Sequence, residues 1–121
     1  MAESHDLGQK GEDIAAGYLE NKGFKILNRN WKAGKLEVDI IAENKDFLVF
    51  VEVKTRSEDF QMHPVTAVNR NKQRSLVLTA DTYIKRYSIN KESRFDIITI
   101  IRKTGGHEID HIEDAFYPTL R

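Results

Sequence analysis

Apolar and polar positions recur along the chain in two periods, which divide it into helices and strands. Apolar residues at 3.6-residue spacing in residues 7–22 and 65–87 predict two amphipathic helices. Gly23 predicts the end of the first helix. Runs rich in apolar and β-branched residues predict five strands, at residues 24–31, 36–42, 47–55, 95–102 and 107–113. The predicted order is therefore αβββαβ with an extra C-terminal strand.

The third predicted strand is apolar on both faces from Phe47 to Val51. A strand of this kind belongs in the middle of a sheet that is covered on both sides. The two helices are the only available cover, so we expect a three-layer αβα sandwich with a mixed sheet. The length of 121 residues suits one domain, residues 1–121, with the last strand at an edge.

Composition excludes several classes of protein. The absence of cysteine excludes disulfides and thiolate metal sites. No apolar run approaches the roughly 18 residues of a membrane span, and the N-terminal residues lack the pattern of a secretory signal, so we expect a cytoplasmic protein. The 19 basic and 19 acidic residues balance, and a field that attracts polyanions from afar is not expected. Residues 70–86 nevertheless carry a local basic excess.

The chemistry of the chain is concentrated in residues 36–55, where two carboxylates and a lysine lie on two joined strands. Alternation along a strand puts Glu52 and Lys54 on one face. A turn centred near residue 45 sets Asp39 opposite about residue 51, which makes Asp39 and Glu52 neighbours. Two adjacent carboxylates repel unless a cation lies between them, and Mg²⁺ suits such oxygen ligands. Lys54 would then orient a water or stabilise charge on a phosphate.

The alternative interpretation is a cross-strand salt bridge between Lys54 and one carboxylate, since ion-pair networks also gather such residues. Two observations count against it. Glu52 follows five apolar residues, 47–51, and the acidic side chains of this hairpin outnumber the lysine.

Asp39 followed by Glu52-Val53-Lys54 resembles the PD-(D/E)XK nuclease superfamily. Further motifs cover nearly the whole chain: G-E-x-x-A at 11–15, R-N-W at 29–31, E-V-D-I-I-A at 37–42, F-V-E-V-K-T-R at 50–56, K-Q at 72–73 and R-F-D at 94–96. Together they resemble the YraN-like family of uncharacterised bacterial proteins. The resemblance implies a restriction-endonuclease-like fold related to Holliday-junction resolvases. It also implies hydrolysis of nucleic acid, with DNA expected, using Mg²⁺ or Mn²⁺, and it suggests a homodimer.

The same resemblance implies roles for individual residues. Asp39 and Glu52 would ligate the metal, the main-chain carbonyl of Val53 would assist, and Lys54 would be the catalytic lysine. Val38 stands where the superfamily has a proline, a small departure because the aspartate carries the chemistry.

Superfamily members often add a carboxylate from the first helix. Glu12 projects beside Leu19 at the edge of the apolar stripe, whereas Asp13 projects to the far side, so we expect Glu12 to join the catalytic and metal-binding residues. The alternative is an acid in an early turn that is favoured by the helix dipole.

Candidate nucleic-acid contacts lie nearby. Arg56, just beyond Lys54, is placed to contact a phosphate. Lys72 and Gln73 project toward the apolar side of the second helix, although Lys72 could instead extend its charge into water. Arg70 and Arg74 lie on its outer face, where a solvated charged surface is the alternative.

Three functions compete at this point. The first is a metal-dependent nuclease. The second is a catalytically silent module that binds nucleic acid or docks a partner, which the neutral net charge favours. The third is a zinc peptidase, because residues 107–111 match H-E-x-x-H. That segment follows a Gly-Gly turn, which instead favours a polar edge strand.

Overall fold

The computed structural model describes residues 2–58 and 69–116, with side chains described from residue 8 onward. Its elements are α1 (Ala2–Asn21), β1 (Lys25–Ala33), β2 (Leu36–Glu43), β3 (Phe47–Ser57), α2 (Arg70–Tyr87), β4 (Glu92–Lys103) and β5 (Gly106–Ile112). The predicted order of helices and strands is confirmed. None of the helices in the described ranges has the length and apolar content needed to cross a membrane.

The five strands form one mixed sheet in the order β1-β2-β3-β4-β5. The apolar strand β3 is in the middle, as its pattern predicts. β3 and β4 are parallel along their whole paired length, from Phe47 beside Glu92 to Ser57 beside Arg102. The other three pairings are antiparallel. A parallel pair needs a crossover, and the chain segment that contains α2 supplies it.

The two helices cover opposite faces of the sheet. Successive strand residues point to opposite faces, and Phe50 packs in a cluster with Leu76 of α2, whereas Val51 packs in a second cluster with Leu19 of α1. All four side chains are almost completely buried. The predicted α/β three-layer sandwich is therefore confirmed.

Several element boundaries differ from the sequence prediction. Helix α2 begins at Arg70 rather than residue 65, because Asn69 caps it by accepting a hydrogen bond from the Lys72 N–H at 2.9 Å. Residues 65–68, which were predicted to be helical, lie outside the described residues. Helix α1 begins before residue 7. Strand β4 begins three residues before its predicted start, because the parallel pairing with β3 extends back to Glu92.

Helix α1 ends where the sequence predicts. Gly23 has a φ of 96°, a left-handed conformation that glycine adopts without steric penalty. The Phe24 N–H then bonds back to the Leu19 carbonyl at 3.0 Å. This reversal leads the chain directly into β1.

Candidate active site

The site is built where β2 and β3 stop pairing. Their ladder runs from Glu43 beside Leu48 to Ile40 beside Val51 and goes no further. Continued by one step, this register sets Asp39 opposite Glu52, one residue beyond the partner that the sequence predicted. In place of a backbone bond, the Val53 N–H donates to Asp39 Oδ2 at 2.8 Å. This hydrogen bond fixes the Asp39 carboxylate next to the second acidic residue.

Glu52 is the most constrained residue of the site, with 5% of its surface exposed. Its Oε2 lies 3.4 Å from Lys54 Nζ and 3.6 Å from Lys72 Nζ. Its Oε1 is buried and has no hydrogen-bond partner among the described residues. A buried acceptor without a partner is unfavourable and calls for a donor or a cation.

Burial and mutual repulsion destabilise the charged forms of both carboxyl groups. Burial raises the pKa of Glu52, and the charge of Asp39 raises it further, against the effects of Lys72 and Lys54. Burial also raises the pKa of Asp39, although the Val53 N–H and the same two lysines oppose the shift. The two lysines therefore offset only part of the effect of burial and repulsion, and a bound cation would further stabilise the charged carboxylates.

Glu12 projects from α1 into the same pocket, as the sequence predicted. Its Oε1 accepts a hydrogen bond from Asn30 Nδ2 at 2.9 Å and lies 3.9 Å from Arg29 Nη2. Burial raises the pKa of Glu12, and the nearby charge of Asp39 adds to the shift. Asp13 is exposed and instead forms a 2.6 Å ion pair with Arg29.

The acidic residues share a pocket without forming a ready three-ligand centre. Among the described side chains, those of residues 8–58 and 69–116, no three carboxylates or imidazoles are grouped closely enough to hold a metal ion. Asp39 and Glu52 are the adjacent pair, and Glu12 is held by Asn30 at the pocket wall. A direct metal bond from Glu12 therefore stays a prediction.

The pocket itself has a volume of about 450 Å³ and opens at the carboxyl end of β3. It is lined by Gly8, Glu12, Asp39, Glu52, Val53, Lys54, Thr55, Arg56, Ser57 and Arg102. A polar cavity of this size, lined by both carboxylates and basic side chains, suits an anionic substrate that binds together with a cation.

The residues predicted to contact nucleic acid divide into two groups. Arg56 lines the pocket, and Lys72 reaches Glu52 from α2. Gln73 is half-buried but is not among the lining residues, and Arg70 and Arg74 are exposed on α2 away from the lining. The structure therefore brings Arg56 and Lys72 into the site and leaves the other three outside the pocket.

Arg102 is the basic lining residue that the sequence analysis missed. It lies near the end of β4, directly beside Ser57 of the parallel strand β3. The carboxyl ends of parallel strands meet at one edge of a sheet, so a parallel pairing of these two strands would have predicted its position. Sequence periodicity alone does not distinguish parallel from antiparallel neighbours.

Asp96 lies on the other face of the sheet from Glu52, so it does not border the site. Arg94 donates two hydrogen bonds to its carboxylate, at 3.0 and 2.9 Å, and His111 Nε2 lies 2.7 Å from its Oδ2. Tyr18 of α1 contacts the other nitrogen of His111, Nδ1, at 3.0 Å. Burial acts to raise the pKa of Asp96, but the hydrogen bonds from His111 and Arg94 outweigh it and hold the pKa below its usual value. This network ties β4, β5 and α1 together.

The H-E-x-x-H segment lies on strand β5 and not on a helix. Its second histidine, His111, is committed to the Asp96 network, and its first, His107, is exposed. The helical arrangement that a zinc peptidase requires is therefore absent from this segment.

Comparison with known proteins finds a matching family model and several similar proteins. A family model described as "Uncharacterised protein family UPF0102" matches residues 11–100. A UPF0102 protein of Parabacteroides distasonis is 48% identical over the full length of both chains. A UPF0102 protein of Bacteroides fragilis is 51% identical, and the match covers 99% of each chain. One from Flavobacterium psychrophilum is 43% identical, and the match covers 97% of this chain and 98% of the relative.

Among solved structures, Pyrococcus furiosus SfsA in complex with Ca²⁺ is similar with a TM-score of 0.34 and 15% identity. The match covers 92% of this chain and 63% of that chain. A structural likeness this weak carries no argument about the site.

Proposed function

The chain belongs to the uncharacterised protein family UPF0102, as its motifs predicted, and we propose that it is a metal-dependent nuclease that hydrolyses phosphodiester bonds in nucleic acid. One observation supports this most strongly. Two carboxylates, the half-buried Asp39 and the buried Glu52, meet beside Lys54 and Lys72, and one oxygen of Glu52 has no partner in the described residues. An acidic pair of this kind is best satisfied by a cation.

The available donor atoms suit Mg²⁺ or Mn²⁺. Mg²⁺ is commonly held by one or two carboxylates and keeps several waters, so it does not need three acidic side chains. Asp39, Glu52 and the main-chain carbonyl of Val53 would hold the ion, and Glu12 would join them through a water or after leaving Asn30. When bound, the metal would supply an activated water and withdraw charge from the phosphate.

The basic side chains would then act on the substrate. Lys54 and Lys72 lie on the Glu52 carboxylate, so a phosphate that approaches this carboxylate comes within reach of both ammonium groups. We assign Lys54 to the stabilisation of charge that develops on the reacting phosphate. Arg56 and Arg102, farther along the pocket wall, would bind flanking phosphates and fix the register of the strand.

The second candidate function is a catalytically silent module that binds nucleic acid, with DNA as the expected ligand, or docks a partner. It is favoured by the lack of a three-ligand group in the described residues and by the two ion pairs that already engage Glu52. This alternative predicts salt-sensitive binding that survives loss of the Glu52 charge.

The two candidates are separated by assays of purified protein on branched, duplex and single-stranded DNA and RNA, with Mg²⁺, with Mn²⁺ and with a chelator. We expect metal-dependent cleavage that falls by about 100-fold or more in Glu52→Gln and Lys54→Ala. Glu43→Gln and Lys45→Ala are the matched controls, because both lie at the opposite end of the β2–β3 hairpin. Absence of metal-dependent cleavage, or cleavage that is unchanged in the site variants, would refute the proposed nuclease activity.

We propose further that the substrate is branched DNA and that the protein is a homodimer. Cleavage of branched DNA would require two strands to be cut, and a homodimer would supply two sites for them. Sedimentation analysis of the protein alone and with a four-way junction tests the dimer, and a monomer in both conditions rejects it.

A further inference from the structure

A second, smaller pocket adjoins the candidate active site. It has a volume of about 270 Å³ and shares Thr55 and Arg102 with the larger pocket. Its other lining residues come from α1, β4 and β5: Lys10, Gly11, Ile14, Ile100, Gly106 and His107. The two cavities are thus neighbours along the carboxyl end of the parallel strands β3 and β4.

The two parts of this second pocket differ in chemistry. Ile14 and Ile100 give it an apolar interior, and Gly11 adds no side chain that would fill it. Arg102 and His107 are exposed, so they stand at its rim. An unstacked nucleobase is recognised by such groups, because its apolar faces stack on histidine rings and arginine guanidinium planes.

Arg102 connects the two cavities. It lines both of them and forms no ion pair with the described residues. Its guanidinium can therefore bind a phosphate without first breaking a salt bridge. A nucleotide whose base enters the smaller pocket would carry its phosphate past Arg102 toward Asp39 and Glu52.

We propose that the smaller pocket accepts an unpaired nucleobase next to the scissile phosphate, so that the substrate is a strand with an unstacked nucleotide. This proposal rests on the proposed nuclease function and names its substrate class. A base inside a continuous duplex is stacked on both faces and paired at its edge, and it cannot enter a pocket without leaving the helix. Fully paired duplex is accordingly the poorer ligand.

Binding to labelled oligonucleotides tests the proposal without requiring cleavage. Fluorescence anisotropy in a chelator and at low salt compares a duplex that contains one unpaired nucleotide with the same duplex that carries an abasic residue there. Loss of the base should weaken binding at least about tenfold, the scale of one base–side-chain stacking contact. His107→Ala should remove most of this difference, and Lys45→Ala, the matched surface control, should keep it.

Arg102→Ala should act differently from His107→Ala. It should weaken binding to both duplexes and reduce the slope of log affinity against log salt by about 1, as loss of a single phosphate contact does. Both residues are exposed, and the thermal unfolding of each variant shows whether it folds like the parent protein.

The outcomes separate this pocket from the nuclease itself. Equal affinity for the base-containing and abasic duplexes, or no binding to any oligonucleotide, overturns the base pocket. Cleavage that depends on Glu52 would uphold the nuclease even then. A base-dependent affinity that is lost in His107→Ala supports the base pocket. If this affinity is found without any metal-dependent cleavage, the proposed nuclease activity is refuted and the base pocket is still supported.

Discussion

Replacement of Glu52 by glutamine should stabilise the metal-free protein and remove most of the stabilisation that Mg²⁺ gives to the wild type. A buried acceptor without a partner costs about 1–3 kcal/mol when neutral and more when it is charged. Glu52 Oε1 is such an atom within the described residues, and glutamine keeps the shape of the side chain while it removes the charge. The variant also loses two ion pairs to partly exposed lysines, each worth roughly 0.5–1 kcal/mol. Because the pKa of Glu52 is raised, the surroundings disfavour its charge on balance. We expect a net gain near 1 kcal/mol at pH 7, or a Tm higher by about 3–5 °C.

The dependence on pH gives the prediction its sign. The pKa of Glu52 is higher in the folded protein than in the unfolded chain, so the folded state favours the protonated side chain. The stability gained from this preference is fully present below about pH 4.3, the unfolded-state pKa, and is lost as the pH rises through the folded-state pKa. The difference between Glu52→Gln and the wild type should therefore be near zero at pH 4 and grow toward pH 7. Urea unfolding at a series of pH values measures it.

Addition of Mg²⁺ should reverse the order of stability. An ion that binds only the folded wild type stabilises it by about 2.7 kcal/mol at 100 times its Kd, and Glu52→Gln should lose most of that gain. Glu43→Gln is the control, since its carboxylate pairs with Lys91 at the other end of β2. The reasoning is refuted if Mg²⁺ stabilises Glu52→Gln as much as the wild type, or if the variant is less stable than the wild type at pH 7 without metal.

Two further predictions concern the framework around the site. A Cβ on Gly11 would overlap the Thr55 hydroxyl, which lies at the wall of both pockets, so Gly11→Ala should destabilise the protein by about 1–3 kcal/mol in urea unfolding. Gly17→Ala is the control, because a Cβ there meets nothing within 4 Å, and it should be neutral or stabilising. Asp96→Asn should cost about 3–5 kcal/mol near pH 7 because it leaves its buried partners uncompensated, and Asp110→Asn should cost much less. Since the pKa of Asp96 is lowered, its contribution is present above about pH 3.9 and is lost as the pH falls through the folded-state value, so the two proteins should converge in acid.

The sequence determined the order of elements and the centre of the site. The double-faced apolar run from Phe47 to Val51 placed β3 in the middle of the sheet, because only a strand covered on both sides can bury both faces. Alternation along β3 also put Glu52 and Lys54 on one face, where they form an ion pair. The position of β3 and the shared face of Glu52 and Lys54 both follow from the alternation of side chains along a strand and from the burial of apolar residues. Both effects can be recognised in a short stretch of sequence.

The sequence did not determine the exact register of β2 and β3, because a turn of four polar residues allows more than one centre. A shift of a single residue distinguishes the predicted partner of Asp39 from the observed neighbour Glu52. The start of α2 was also missed, since the apolar pattern continues through residues 65–68 and the cap at Asn69 was not recognised.

Only the tertiary structure decided which distant side chains complete the site. Lys72 reaches Glu52 because α2 packs on the same face as that residue, and Arg102 enters because β4 runs parallel to β3. Likewise, Asn30 holds Glu12 across the gap between β1 and α1. Periodicity specifies which face of an element a residue occupies, but strand order and direction depend on the packing of the whole chain. The sequence by itself therefore determined an acidic pair with its lysine, and the fold decided that Lys72 and Arg102 reach the site and that a second pocket adjoins it.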